Sequence, residues 1–357
     1  MMQQIMLMQH HLQSQNLVLN MFTMKKERYN MAVMSYIDAI NLALHEEMER
    51  DENVFVLGED VGVRGGVFLA TKGLFDKFGE NRVIDTPLAE SAIVGVGIGA
   101  AMYGTRPVAE IQFVDFILPA VNQIVSEAAK TRYRSNNDWS VPMTIRAPYG
   151  GGVHGALYHS QSLEGLFSGT PGLKIVMPST PYDAKGLLKA AIRDNDPVLF
   201  LEHKRAYRLI KGEVPEEDYT IPIDKAEVKR QGEDVTVITY GLAVHFALEA
   251  ANNLEKEGIS THILDLRTVY PLDQQAIIDA ASKTGKVLLV TEDNKEGSVI
   301  GEVAAIIGEH CLFELDAPIA RLAGPDVPSM PYAPPMEKFF MINPDKIEKA
   351  IRELAEY

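Results

Sequence analysis

The sequence predicts an α/β protein built on a parallel sheet and divided into two domains, on three observations. Short apolar runs rich in β-branched residues alternate with helix-length amphipathic segments, the order expected of strands joined by helical crossovers. The series breaks at a polar, charged stretch over 211–232 and then starts again. At 357 residues the chain is also longer than one ordinary domain.

In chain order, Ile37, Ile40, Leu44 and Met48 share one face and predict a helix over 35–50. Val54 to Gly58 reads as a buried strand running into a glycine-ended loop. Further strands are predicted over 107–113, 143–146, 174–177 and 198–201, with helices over 90–103, 118–134 and 182–193. The second series has strands over 234–240, 260–265 and 286–292 and helices over 244–257 and 273–284. The proline-rich stretch from Pro325 to Pro335 reads as an ordered surface connection, and a last helix is expected over 344–357. The domains are therefore expected over 31–210 and 233–357, joined by a linker over 211–232.

Composition narrows the function. There are 34 basic and 49 acidic residues, a net charge of −15. Nucleic-acid binding needs a basic face to displace counterions, and docking on an anionic membrane needs one too. No run reaches the roughly 18–20 apolar residues that span a bilayer. A soluble, cytoplasmic bacterial enzyme is the expectation. The single cysteine, Cys311, cannot form an intrachain disulfide and sits in an apolar run. Residues 1–30 carry neither the apolar core of a secretory signal nor the arginines of a mitochondrial one. Lys26-Glu27 can be encoded by AAGGAG, a ribosome-binding sequence, and three codons separate it from Met31. Translation is therefore expected to start at Met31, with 1–30 a misassigned or disordered extension.

Three motifs carry candidate chemistry. Gly95, Gly97 and Gly99 have dinucleotide-fingerprint spacing, but that fingerprint follows a strand and opens a helix. Here a loop precedes it, so the glycines are read as sites of close helix packing, and Asp115 as no ribose acid despite its spacing. Glu90 opens a helix of small and apolar residues. Burial there would raise its pKa and suit an acid that shares a proton with a heterocyclic nitrogen; a simple helix-N-terminal acid is the other reading. The glycine-rich loop from Gly150 to Gln161 carries His154 and His159. Such a loop suits close approach to a ligand and proton transfer, with a structural role more in keeping with His154 than with His159.

Together these residues carry a family resemblance. Leu57-Gly58-Glu59-Asp60, Asp85-Thr86-Pro87-Leu88-Ala89-Glu90, the run from Ala109 to Phe116, Arg146-Ala147-Pro148-Tyr149-Gly150 and Tyr158-His159-Ser160-Gln161 resemble the β subunits of 2-oxoacid dehydrogenases. Asp265-Leu266-Arg267-Thr268, Pro271-Leu272-Asp273 and Lys283-Thr284-Gly285 extend the likeness, which runs from Met31 to Tyr357. The stretches 155–161 and 129–135 are similar to the branched-chain type; Pro178 to Lys185 is shared with pyruvate and acetoin relatives.

The resemblance implies a transketolase-like pyrimidine-binding domain with a parallel sheet, followed by a transketolase-type C-terminal α/β domain. It implies that Glu90 bonds the N1′ nitrogen of thiamine diphosphate, the cofactor that acts as electron sink for decarboxylating a 2-oxoacid. Phe116 would stack on the aminopyrimidine, Leu88 and Gln112 would line its pocket, and His159 would assist acyl transfer to a lipoyl arm. The family's Gly-Asp-Gly motif for diphosphate and Mg²⁺ is missing from the sequence, so an α subunit is expected to supply that half of the site in an α2β2 tetramer. A lipoyl acyltransferase core is the further partner expected. Some relatives also bind potassium, which would fall here on Thr144, Ala191, Asp194 and Asp196. The competing expectations are pyruvate or acetoin as substrate, or a non-catalytic scaffold, against which Glu90 and His159 both speak.

Overall fold

The computed structural model describes residues 30–357, so the expectation for 1–30 lies, apart from Asn30, outside the described residues. Strand β1 (Met31–Ser35) leads into helix α1 (Tyr36–Arg50). The Ser35 hydroxyl accepts from the Asp38 N–H at 3.3 Å and caps the helix at the predicted start. Ile37, Ile40, Leu44 and Met48 are all buried, the face the spacing predicted.

The first sheet has seven strands in the order β12-β6-β7-β5-β4-β2-β3. These are β2 (Val54–Gly58), β3 (Val83–Asp85), β4 (Arg106–Glu110), β5 (Thr144–Tyr149), β6 (Lys174–Val176), β7 (Val198–His203) and β12 (Thr268–Tyr270). All neighbours run parallel except β12, an antiparallel edge strand contributed by the second half of the chain. Helices α2 (Glu90–Met102) and α3 (Pro181–Arg193) belong to this layer. Of the three spaced glycines, Gly97 is the packing site: a Cβ there would lie 2.5 Å from Met143 Cε, while Gly99 has open space.

The second sheet runs β14-β13-β10-β11-β9. It comprises β9 (Glu227–Arg230), β10 (Val235–Thr239), β11 (Thr261–Asp265), β13 (Val287–Asn294) and β14 (Ala320–Gly324). Helices α4 (Ala243–Leu254), α5 (Gln274–Thr284), α6 (Val299–His310) and α7 (Pro344–Ala355) accompany it. Two buried clusters each draw on both halves of the chain. Leu44 and Leu187 join Val237 and Ile347 in one; Ile93 and Ile145 join Leu264 and Ile300 in the other. No helix of the described residues is long and apolar enough to cross a membrane.

Several elements depart from expectation for physical reasons. The stretch 211–232 holds two strands: β8 (Lys211–Pro215), which pairs antiparallel with β1, and β9. Its polar residues fit edge strands, which leave one side to water. The helix expected over 118–134 is broken into a 3₁₀ turn (Leu118–Ala120), a π turn (Gln123–Ala128) and a short helix (Thr131–Arg134). Pro119 cannot donate to a helical ladder, and the Thr131 hydroxyl bonds back to Glu127 O at 2.7 Å. Helix α6 and a helix over Pro334–Phe340 were not read from the sequence.

Candidate active site

A parallel sheet presents the carboxyl ends of its strands on one edge, and a crevice opens where successive connections leave in opposite directions. Here β2 connects to β3 on one side while β4 connects to β5 on the other, so the crevice lies between β2 and β4. Glu59 and Asp60 leave the end of β2, and Ile111, Gln112 and Phe113 leave β4. Gly150 leaves β5 and Lys204 leaves β7.

Glu90 is brought to this edge by its preceding loop. Thr86 N–H donates to Gly58 O at 2.9 Å and Gly62 N–H to Asp85 Oδ1 at 2.6 Å, which ties residues 85–89 to the end of β2. Glu90 is the first residue of α2 and is 9% exposed. Among the described residues its carboxylate has no hydrogen-bond or ion-pair partner. Glu59 stands close by: burial, then the negative charges of Glu90 and Asp60, push its carboxyl up. Gln112 Nε2 donates to Asp60 Oδ2 at 3.5 Å, beside the same strand end. Leu88, two residues before Glu90, is 77% exposed, so the crevice is open on that side.

The aromatic part depends on where β4 stops. A strand was expected through Phe113, but the ladder ends at Glu110, with Ile111 N–H still donating to Arg146 O at 2.9 Å. A 3₁₀ turn over Val114–Phe116 follows. It sets the Phe113 and Phe116 rings edge to face, 6.1 Å apart. His159 packs edge-on against both, 4.7 Å from Phe113 and 5.4 Å from Phe116. Asp115, between the two phenylalanines, accepts the N–H groups of Ser160 at 3.2 Å and Gln161 at 3.1 Å. The aromatic turn and the histidine loop are therefore one unit.

The loop is tied down again at its other end. Gly151 N–H donates to Glu292 Oε1 at 2.6 Å, and His203 Nε2 meets Glu292 Oε2 at 3.1 Å. Gly150 has φ +86°, and a Cβ there would lie 2.3 Å from His203 Nε2, so only glycine fits. His154 donates its N–H to Glu337 Oε1 at 3.1 Å and sets Nδ1 2.6 Å from Oε2. This contact ties the loop to the helix over Pro334–Phe340.

The potassium residues find other partners. Asp194 pairs with Lys174 at 2.5 Å and accepts the Asp196 N–H, and Asp196 pairs with Arg132. Arg106 donates to the carbonyls of Ile192 at 3.0 Å and Asp194 at 2.8 Å, putting a guanidinium at the end of α3. Ala191 O accepts the Asp194 N–H at 3.2 Å. Only the buried Thr144 hydroxyl lacks a partner, and no group of three His, Cys, Asp or Glu side chains among the described residues could hold a metal.

Comparison with known proteins decides the family. The chain matches the transketolase pyrimidine-binding domain over residues 32–210 and the transketolase C-terminal domain over 224–347. It is 78% identical over 327 residues to the 2-oxoisovalerate dehydrogenase subunit beta of Bacillus subtilis strain 168, covering 92% of this chain and all of that protein. The chain belongs to the branched-chain 2-oxoacid dehydrogenase β-subunit family. The pyruvate dehydrogenase E1 component subunit beta of the same organism is 54% identical over 296 residues, covering 83% of this chain and 91% of that one. In fold, the chain superposes on a split-gene transketolase described as an inactive β4 tetramer, with TM-score 0.74 and 21% identity, over 90% of this chain and 98% of the other. A Pichia stipitis transketolase variant gives TM-score 0.65 at 16% identity, over 91% of this chain and 46% of that one.

Sequence reading did not single out Glu59 and Phe113 at the crevice, nor Lys204 and Glu292 behind the histidine loop, and it weighed Asp115 only as a ribose acid. The available signal was a charge inside an apolar run, as in Val114-Asp115-Phe116 and in 198–204. A charge so placed must find a partner or a task.

Proposed function

We propose that this chain is the β subunit of an α2β2 2-oxoacid dehydrogenase that decarboxylates branched-chain 2-oxoacids and passes the acyl group to the lipoyl domain of an acyltransferase core in the bacterial cytoplasm. The observation that carries the reading is Glu90: a largely buried residue with an unpartnered carboxylate, opening a helix at the switch-point crevice. Its 78% identical relative, named for 2-oxoisovalerate, supports the substrate class.

The residues present fit the pyrimidine half of thiamine diphosphate, which when bound supplies the electron sink for decarboxylation. Glu90 offers an acid with no competing partner, able to hold a proton at a ring nitrogen. Phe116, half-buried beside Phe113, offers an aromatic surface, and Leu88 and Gln112 flank the opening. His159 packs against both rings, and its assigned task is to move a proton during transfer to the lipoyl sulfur. The chain lacks the Gly-Asp-Gly motif, so we assign diphosphate and Mg²⁺ to the α subunit.

The test is decarboxylation by this chain with and without its co-expressed α subunit, given thiamine diphosphate, Mg²⁺ and a panel of 2-oxoacids. Activity is expected only in the pair, fastest with 3-methyl-2-oxobutanoate. A preference for pyruvate would overturn the substrate assignment, and activity of the isolated chain would overturn the split site. His159→Ala is expected to lower lipoyl-domain acylation by about 10²-fold or more while sparing reduction of an artificial dye acceptor. Equal loss in both assays would make His159 a structural residue.

A further inference from the structure

Five cationic side chains are buried among the described residues. Arg146, Lys185, Lys189 and Arg267 each meet a carboxylate. Lys204 does not. It is 3% exposed, and its Nζ has no hydrogen-bond partner. An unpaired buried ammonium is costly, so its surroundings have to account for it.

Three groups face this ammonium. The Phe113 ring lies beneath it, with Nζ 5.5 Å from the centroid, close enough for the ring face to stabilise the charge. Asp115, from the turn after β4, and Glu292, from β13, attract it from outside bonding distance. Asp115 Oδ2 is itself buried and unpartnered. Each of the three also touches the loop over 150–161. Phe113 packs on His159, Asp115 holds the N–H groups of Ser160 and Gln161, and Glu292 holds that of Gly151. Lys204 is fixed in turn by its own N–H, which donates to Tyr149 O at 3.0 Å, one residue before that loop begins.

We propose that Lys204 is a positioning residue for His159: its charge balances Asp115 and Glu292 in a dry interior, so that both carboxylates can hold the loop that presents the histidine. The proposal rests on the acyl-transfer role assigned to His159 above. Without the ammonium, Asp115 would lose the cation that attracts it and Glu292 would be left with its bond to His203. They would take up protons or admit water, and either change loosens the N–H contacts.

Burial pushes the Lys204 ammonium down to about 8, against the pull of Asp115 and Glu292. The sign follows directly. Below that pH the ammonium is charged and the loop is held; as pH rises through it the charge is lost and the loop slackens. Tyr149, whose ring packs on His203, His203 itself, bonded to Glu292, and His159, beyond the Phe113 ring, are the other titratable groups at this spot. Acyl transfer should therefore fall on the alkaline side while dye-coupled decarboxylation does not.

The experiment uses the co-expressed α2β2 enzyme with Lys204→Met and Lys204→Arg, and measures lipoyl-domain acylation and dye reduction across pH 6–9. Lys204→Met is expected to lower acylation by about 10- to 100-fold, to leave dye reduction near wild type, and to lack the alkaline limb. Lys204→Arg, charged throughout, is expected to keep acylation and to extend it above pH 8. His159→Ala separates the two assignments. If it spares acylation, the role of His159 falls and this proposal with it. If it abolishes acylation while Lys204→Met retains it with a wild-type pH profile, only the Lys204 proposal is overturned. Equal loss of both rates in Lys204→Met would mark a structural residue. If the methionine variant fails to assemble, the arginine variant decides, and acylation that still falls above pH 8 overturns the proposal.

Discussion

Glu90→Gln is expected to leave the α2β2 enzyme assembled and its decarboxylation reduced by about 10²–10⁴-fold. The substitution keeps the shape of the side chain and removes its ability to hold a proton in one state and a charge in the other. The carboxylate has no partner to leave stranded, so little stability should be lost. If Glu90 served only to complement the N-terminus of α2, the change would cost about 0.3–1 kcal/mol of stability and leave turnover alone. The check is dye-coupled turnover beside cofactor binding and sedimentation of the assembled enzyme. Unchanged turnover with intact assembly would refute the assignment.

Arg146→Met is expected to destabilise the fold by about 3–5 kcal/mol, the largest stability effect that these contacts support. Arg146 is fully buried beneath the crevice. It donates to Glu202 at 2.6 and 2.7 Å and to Glu110 at 2.6 Å, while the Tyr207 hydroxyl donates to Glu202 at 2.6 Å. Burial already pushes the Glu110 carboxyl up, with Arg146 opposing that shift. Removing the guanidinium strands two carboxylates in the interior, and their folded-state pKa values would rise above the unfolded ones. Groups shifted that way favour the folded state at low pH and disfavour it at neutral pH. The deficit should therefore be largest near pH 7 and shrink as pH falls toward 5, in chemical denaturation of the assembled enzyme. A deficit independent of pH would mean that lost packing, and not stranded charge, sets the cost. Because the Arg146 guanidinium holds Glu110, the last residue of β4, the same change should also disturb the start of the turn that carries Phe113 and Phe116.

The legible part of the site is the part written in local sequence. Glu90 stands at the head of a helix whose small-residue pattern marks it, and Phe116, Gln112 and His159 sit in motifs that resemble those of the family. The strand expected through Phe113 stops at Glu110, and it reads longer in the sequence because Ile111 and Phe113 are apolar. An apolar run of that length looks alike in a strand and in a buried turn. The potassium residues were carried over by position alone, and position says nothing about Lys174, Arg132 and Arg106 reaching the same place.

By itself, the sequence determined the alternation of strands and helices, the extent and buried face of α1, the helix that Glu90 opens, and the acid, the aromatics and the histidine available to the chemistry. Those depend on periodicity and on neighbours a few residues away. Tertiary structure alone decided that His159 meets Phe113 and Phe116, that β12 returns to complete the first sheet, that Asp194 and Asp196 are neutralised, and that Lys204 is not. Each of these depends on which distant groups share a dry interior, where an unpaired charge is costly and a paired one is held in place. Only the packing of the whole chain sets that pairing.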